Sequence, residues 1–156
     1  MKKIAAVLAL AATLGLPTLA EAREITFTTK LKQYGGAGAY VVMYVTDGSG
    51  RYQGTLWMAG GKSKYYRHLN DWKRASGGDL RQIDGITGAS VGSGKTLTVK
   101  LDLADALIDA GYQIRIDAAV EDMADSPSEV VVPLTSNRAG QVAAGRAYIQ
   151  SFTYAM

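Results

Sequence analysis

The chain has no cysteine, one histidine, three prolines and two phenylalanines among its 156 residues. Without thiols it can form no disulfide, thiolate-held zinc site, iron–sulfur cluster or covalent c-type haem. A single imidazole, His68, leaves a transition-metal site without its second ligand and gives no basis for a Ser-His-Asp triad. Charge of one sign is also lacking. Removing Lys2, Lys3 and Glu21 from the 17 basic and 14 acidic residues leaves 15 and 13. Lys62, Lys64, Arg67, Lys73, Arg74 and Arg81 form a diffuse basic stretch interrupted by Asp71 and Asp79, so no nucleic-acid partner is expected. The one extended apolar run, residues 4–16, falls short of the ~20 residues a helix needs to cross about 30 Å of hydrocarbon, and no membrane span is expected.

That run follows Lys2 and Lys3 and leads through Pro17 to Ala20-Glu21-Ala22. Basic start, short apolar stretch and small-residue site together read as a secretory signal peptide over residues 1–22, with export to the periplasm. Residues 23–156 then suffice for one hydrophobic core and form a single predicted domain.

Alternation dominates this domain. Ile25, Phe27, Thr29 and Leu31 fall on one face of a strand over residues 24–31, and a β-branched and aromatic run follows at 39–46. Asp47-Gly48-Ser49-Gly50 turns the chain back into a strand over 51–58. Further strands are expected at 96–103, 112–120, 129–134 and 146–154. Between Lys64 and Ala75 the period changes: Tyr65, Leu69 and Trp72 are spaced as on one helix, closed by Ser76-Gly77-Gly78. The expected fold is all-β, an antiparallel immunoglobulin-like β-sandwich with one short helical insertion.

Asp84-Gly85-Ile86-Thr87-Gly88-Ala89-Ser90 and the residues after it carry two overlapping motifs. Ala89 to Thr96 satisfies the permissive phosphate-loop pattern, yet Leu97-Thr98-Val99-Lys100-Leu101 alternates as a strand. The helix whose N-terminus would face a phosphate is therefore missing, which rejects a nucleotide-hydrolase reading. Asp84 to Ser90 instead resembles the flavinylation motif of periplasmic FMN-binding domains: Asp, two residues, Ser/Thr, Gly, Ala, Ser/Thr. That resemblance implies FMN esterified through its phosphate to Ser90 by a flavin transferase, with Asp84, Thr87, Gly88 and Ala89 as the remaining motif residues. Small neighbours suit a foreign active site closing over the backbone. The transferase and its magnesium would activate the hydroxyl, so no catalytic base is required of the chain. Leu69 to Trp72 with its basic tail, the Asp84–Ser90 motif and Gly111-Tyr112-Gln113-Ile114-Arg115-Ile116 follow one another as in domain-of-unknown-function family 2271, small predicted periplasmic proteins. Membership would imply an extracytoplasmic β-domain working beside a PepSY-type membrane reductase and a flavin transferase.

Aromatic faces for a flavin ring are sought among Tyr65, Tyr66, Trp57 and Trp72, with Trp72 assigned to packing and Tyr66 or Trp57 to stacking. Arg67 or Lys73 would stabilise an anionic ring. Asp102, Asp105, Asp109, Asp117, Glu121, Asp122 and Asp125 lack the calcium-loop ladder and are read as solvated turn and edge residues, so no metal site is expected. Two functions of different class remain. The first is an electron-transfer protein bearing FMN on Ser90, not a stand-alone enzyme. The second is a cofactor-free binding or accessory module, which exposed apolar surface around Trp57 and Tyr40 to Tyr44 would favour. A calcium-binding accessory role is a weaker third.

Overall fold

Alternation along the first predicted strand becomes β1, Ala22–Leu31, which buries Ile25, Phe27, Thr29 and Leu31. The computed structural model describes residues 21–156. The expected signal peptide therefore lies outside the described residues except for its last two. Of these, the Glu21 carbonyl accepts from the Asp105 amide at 2.8 Å and Ala22 pairs with Ala104.

After β1 come β2 (Tyr40–Thr46), β3 (Tyr52–Ala59), α1 (Asn70–Ser76) and a two-residue β4 (Thr87–Gly88). The remaining strands are β5 (Thr96–Ala104), β6 (Gln113–Ala119), β7 (Ser126–Pro133) and β8 (Ile149–Ala155). One sheet has the order β5-β1-β8 and the other β4-β3-β2-β6-β7. All pairings are antiparallel except β3 with β4. In immunoglobulin terms β3-β2-β6-β7 stand in the order C′-C-F-G, while β1 and β5 take the places of B and E. The last strand, β8, lies where a first strand would.

Ile25, Phe27, Val99, Leu101, Phe152 and Tyr154 from the smaller sheet meet Val41, Met43, Val45, Ile114, Ile116 and Val130 from the larger, filling the space between them. A second core lies on the far side of the larger sheet. There the segment between β3 and β4 lays Tyr66, Leu69, Trp72, Ile83 and Ile86 over Val42, Tyr44 and Met58. Strand β2 is covered on both faces, which accounts for its unbroken apolar run.

Two local expectations are corrected. The single helix over residues 64–75 is divided at Leu69 (φ −88°, ψ 72°) into a 3₁₀ turn, Ser63–His68, and α1. Leu69 turns inward and is fully buried, and no side chain of its own caps the helix that follows. The final strand begins at Ile149 rather than 146 because the amides of Arg146, Ala147, Tyr148 and Ile149 all donate to Glu129 Oε1, at 2.6–3.1 Å.

The missing cap comes from Asp117, in the middle of β6 and completely buried. Its carboxylate accepts from the Trp72 amide (2.7 Å), the Ser128 amide (2.8 Å) and the Tyr44 hydroxyl (3.0 Å). The β6–β7 register shifts beside it, and Ser128 takes a left-handed backbone (φ 44°) that aims its N–H at the carboxylate. A reading of Asp117 as a solvated edge residue fails because three donors converge on it out of water. Burial, and secondarily the neighbouring Asp71 carboxylate, raise its pKa above the ordinary aspartate value.

Asp117→Asn would set an amide NH₂ against the Trp72 N–H and should lower the unfolding free energy by about 1–3 kcal/mol. The sign of the pH effect follows from the raised native pKa. The native state holds its proton more tightly, so the ionisable group's contribution is fully present below the unfolded pKa and is lost as pH rises through the native one. Urea titrations between pH 3 and 7 should show the wild-type advantage over Asp117→Asn shrinking with rising pH. An advantage that grows with pH would contradict this assignment.

Candidate functional site

The Asp84–Ser90 motif forms the open edge of the larger sheet. Its Ile86 and Gly88 carbonyls accept from the Met58 and Gly60 amides at 2.9 and 2.8 Å, holding Thr87–Gly88 parallel to β3. One residue after Ser90, Val91 and Ala39 exchange two backbone bonds, at 2.7 and 2.9 Å. Ser90 is thus pinned on both sides, while Asp84, Thr87, Ala89 and Ser90 itself stay exposed. Further on, Gly92 to Lys95 makes a tight turn (Lys95 N–H to Gly92 carbonyl, 3.0 Å) straight into β5, so no helix follows the phosphate-loop residues.

Gly88 is small for a packing reason. A Cβ at this position would lie 2.7 Å from Trp57 Cζ2. Trp57 stands half-buried behind the motif, its indole Nε1 sealed from solvent without a partner among the described residues. It therefore supports the motif's backbone and lies outside the cleft described next. Tyr66 is only 5 % exposed and donates its hydroxyl to the Gly60 carbonyl at 2.7 Å, with its ring edge-on to Trp72. It belongs to the second core, and the expectation that it offers a stacking face is corrected. Trp72 is core, as its helical spacing suggested.

Ser90 opens onto a cleft of about 490 Å³, within the ~300–1,000 Å³ of small-molecule sites. One wall is the 3₁₀ turn, which brings Lys62, Tyr65, Arg67 and His68; the other is the β6–β7 turn, Ala119 to Met123. Tyr40 stands between them. Its ring lies over Gly60, whose left-handed backbone (φ 127°) and missing side chain leave room for it, and its hydroxyl accepts the Lys62 amide at 2.9 Å. Tyr40 and Tyr65 meet edge to face, centroids 5.4 Å apart and planes at 71°. Two contacts join the walls: Tyr65 donates to Glu121 Oε1 at 2.9 Å, and His68 Nδ1 lies 3.2 Å from Asp125.

Of the residues singled out from the sequence for a flavin, Ser90, Tyr65 and Arg67 line this cleft, whereas Tyr40 and the β6–β7 wall were not assigned to it. The Gly60-Gly61 pair, placed where a tyrosine ring must approach the backbone, was the available signal for Tyr40. The acidic residues disperse. Asp105 pairs with Arg23 at 3.1 Å, Asp109 accepts from Ser136, and among the described residues no three His, Asp or Glu side chains gather to hold a metal ion. Of the exposed apolar surface expected around Trp57 and Tyr40 to Tyr44, Val41, Val42, Met43 and Tyr44 are interior, each 3 % exposed or less, while Trp57 and Tyr40 are half-buried.

The fold defines an immunoglobulin-like β-domain, and its larger sheet carries the cleft beside Ser90. A family model described as a predicted periplasmic protein, domain-of-unknown-function family 2271, matches residues 22–151. The chain belongs to that family, and a periplasmic location follows from the membership. No curated protein and no solved structure matches it. Among the described residues no helix is long and apolar enough to cross a membrane.

The Gly88–Trp57 contact is testable. Gly88→Ala should lower the urea unfolding free energy by about 1–3 kcal/mol through overpacking. In a double-mutant cycle, Trp57→Leu should recover part of that loss; strictly additive losses would mean that the two residues do not press on each other.

Proposed function

We propose that the chain is a periplasmic electron-transfer domain carrying FMN covalently on Ser90, attached by a flavin transferase and working with a PepSY-type membrane reductase. The observation that carries this reading is the position of Ser90: an exposed hydroxyl, fixed by backbone pairing on both sides, opening onto a cleft with Tyr40, Tyr65, Lys62 and Arg67 toward one wall and Glu121 and Asp122 on the other. The motif and the periplasmic family support it from the sequence side.

The residues fit the group. Attachment would form a bond from Ser90 Oγ to the FMN phosphorus of FAD and break that phosphorus's bond to AMP. The hydroxyl proton would pass to the transferase's base, and AMP would leave. The exposed backbone of Thr87, Ala89 and Ser90 gives the transferase access. Once attached, FMN supplies reversible one- and two-electron chemistry. The chain's part is to bind and orient. Tyr40 and Tyr65 present aromatic surface, while Lys62 and Arg67 place positive charge beside it. Lys73, considered for the same role from sequence, lies outside the cleft lining, with its side chain against Gly78.

Periplasmic co-expression with a flavin transferase, followed by intact mass of the denatured protein, tests the reading. One FMN phosphoester should be gained by the wild type and absent from Ser90→Ala. Asp84→Ala should reduce the modified fraction at least about tenfold, the loss expected when one motif contact worth ~1.4 kcal/mol is removed. No increment on the wild type, from cells whose transferase modifies a known acceptor, would sink the proposal and leave a cofactor-free binding module.

A further inference from the structure

We propose that the folded domain itself recognises the flavin ring non-covalently, in the Tyr40–Tyr65 corner flanked by Lys62 and Arg67, before and independently of any bond to Ser90. This deepens the reading above and rests on it for the identity of the ligand.

The corner is built before anything binds. Tyr40 is held by the Lys62 amide at its hydroxyl and by the gap over Gly60 at its ring. Tyr65 is held by Glu121 at its hydroxyl, and the Lys64 ammonium lies 4.9 Å from its ring centroid. Side chains fixed in this way lose little further freedom on binding. Both rings are only half-buried, so aromatic surface remains to be covered.

The two signs of charge lie on opposite walls. The β6–β7 turn brings the carboxylates of Glu121, which accepts from Tyr65, and Asp122, while His68 is held by Asp125. Lys62 and Arg67 form no ion pair among the described residues, and the Arg67 side chain donates only a long bond, 3.4 Å, to His68 Nε2. Lys62 and Arg67 stand on the same wall as Tyr65, so a planar heteroaromatic molecule covering the two edge-to-face rings would have positive charge on that side, where the negative charge of a ligand would lie. Flavin mononucleotide has both features, and the cleft ends at the hydroxyl proposed to receive its phosphate.

The full mature chain, purified from cells that lack a flavin transferase, would be titrated with FMN, riboflavin and inorganic phosphate. Binding would be followed by flavin fluorescence and calorimetry. FMN and riboflavin should both bind with quenching, at dissociation constants on the order of micromolar. Phosphate should not displace riboflavin. Tyr65→Ala should weaken both flavins at least about tenfold, the loss of one aromatic contact. Arg67→Gln should weaken FMN more than riboflavin, while circular dichroism and unfolding midpoints show that both variants stay folded. No quenching at millimolar flavin, or a Tyr65→Ala titration that overlays the wild type, would overturn the inference.

The two proposals fail separately. Ring binding without covalent attachment would sink the Ser90 ester and leave the corner. Attachment with a flavin spectrum identical in native and denatured protein would leave the ester and sink the corner.

Discussion

A single buried carboxylate connects the parts on which the cleft depends. Asp117 sits in β6, two residues before the wall that begins at Ala119, and it supplies the cap that α1 lacks from its own sequence. The 3₁₀ turn that carries Tyr65 and Arg67 runs directly into α1 through Leu69. One group therefore sets the β6 wall against the helical wall. Its three donors come from β2, β7 and α1, so removing it would leave three buried donors without an acceptor. Burial of an isolated carboxylate costs several kcal/mol, and the arrangement persists because each donor has nowhere else to go.

Around that group the molecule is three layers deep on one side: small sheet, large sheet, helical cover. The middle layer is buried on both faces. Strand β2 packs against Phe27 and its neighbours through Val41, Met43 and Val45, and against Trp72 and Leu69 through Val42 and Tyr44. Trp72 also donates its indole N–H to Thr55 at 2.8 Å, so the cover is joined to β3 by hydrogen bonding as well as by burial. With no cysteine anywhere in the chain, burial and converging hydrogen bonds do what an inter-sheet disulfide does in antibody domains.

Glu129 plays at β7 a part comparable to that of Asp117 at β6. One of its oxygens takes four consecutive backbone amides from residues 146–149, which fixes where β8 begins and brings the last strand to the edge beside β1. The same turn sends the Tyr148 hydroxyl to the Ala124 carbonyl, joining β8 to the β6–β7 turn that walls the cleft. Positions remote in sequence thus converge on the site through two buried acids.

Alternation identified β1 and β5 nearly to the residue, because an alternating pattern has only one way to bury its apolar face, and β2 was legible instead as a β-branched and aromatic run bounded by turn residues. The absence of a helix after Lys95 was legible for the same reason, and so was the exposed, small-residue character of Asp84 to Ser90. What alternation cannot register is a polar side chain whose partners lie far along the chain. Asp117 looks like any strand-edge aspartate, and Glu129 like any strand-end glutamate, until Trp72, Ser128 and residues 146–149 fold back onto them. The helix break at Leu69 and the burial of Tyr66 have the same origin, since both depend on which face the insertion lays on β2. The sequence by itself determined the strands, their alternation and the exposed serine. Tertiary structure alone decided that Tyr40 and Tyr65 would face Ser90 across a cleft, because long-range burial and hydrogen bonding choose among local conformations that the chain's own propensities leave nearly equal.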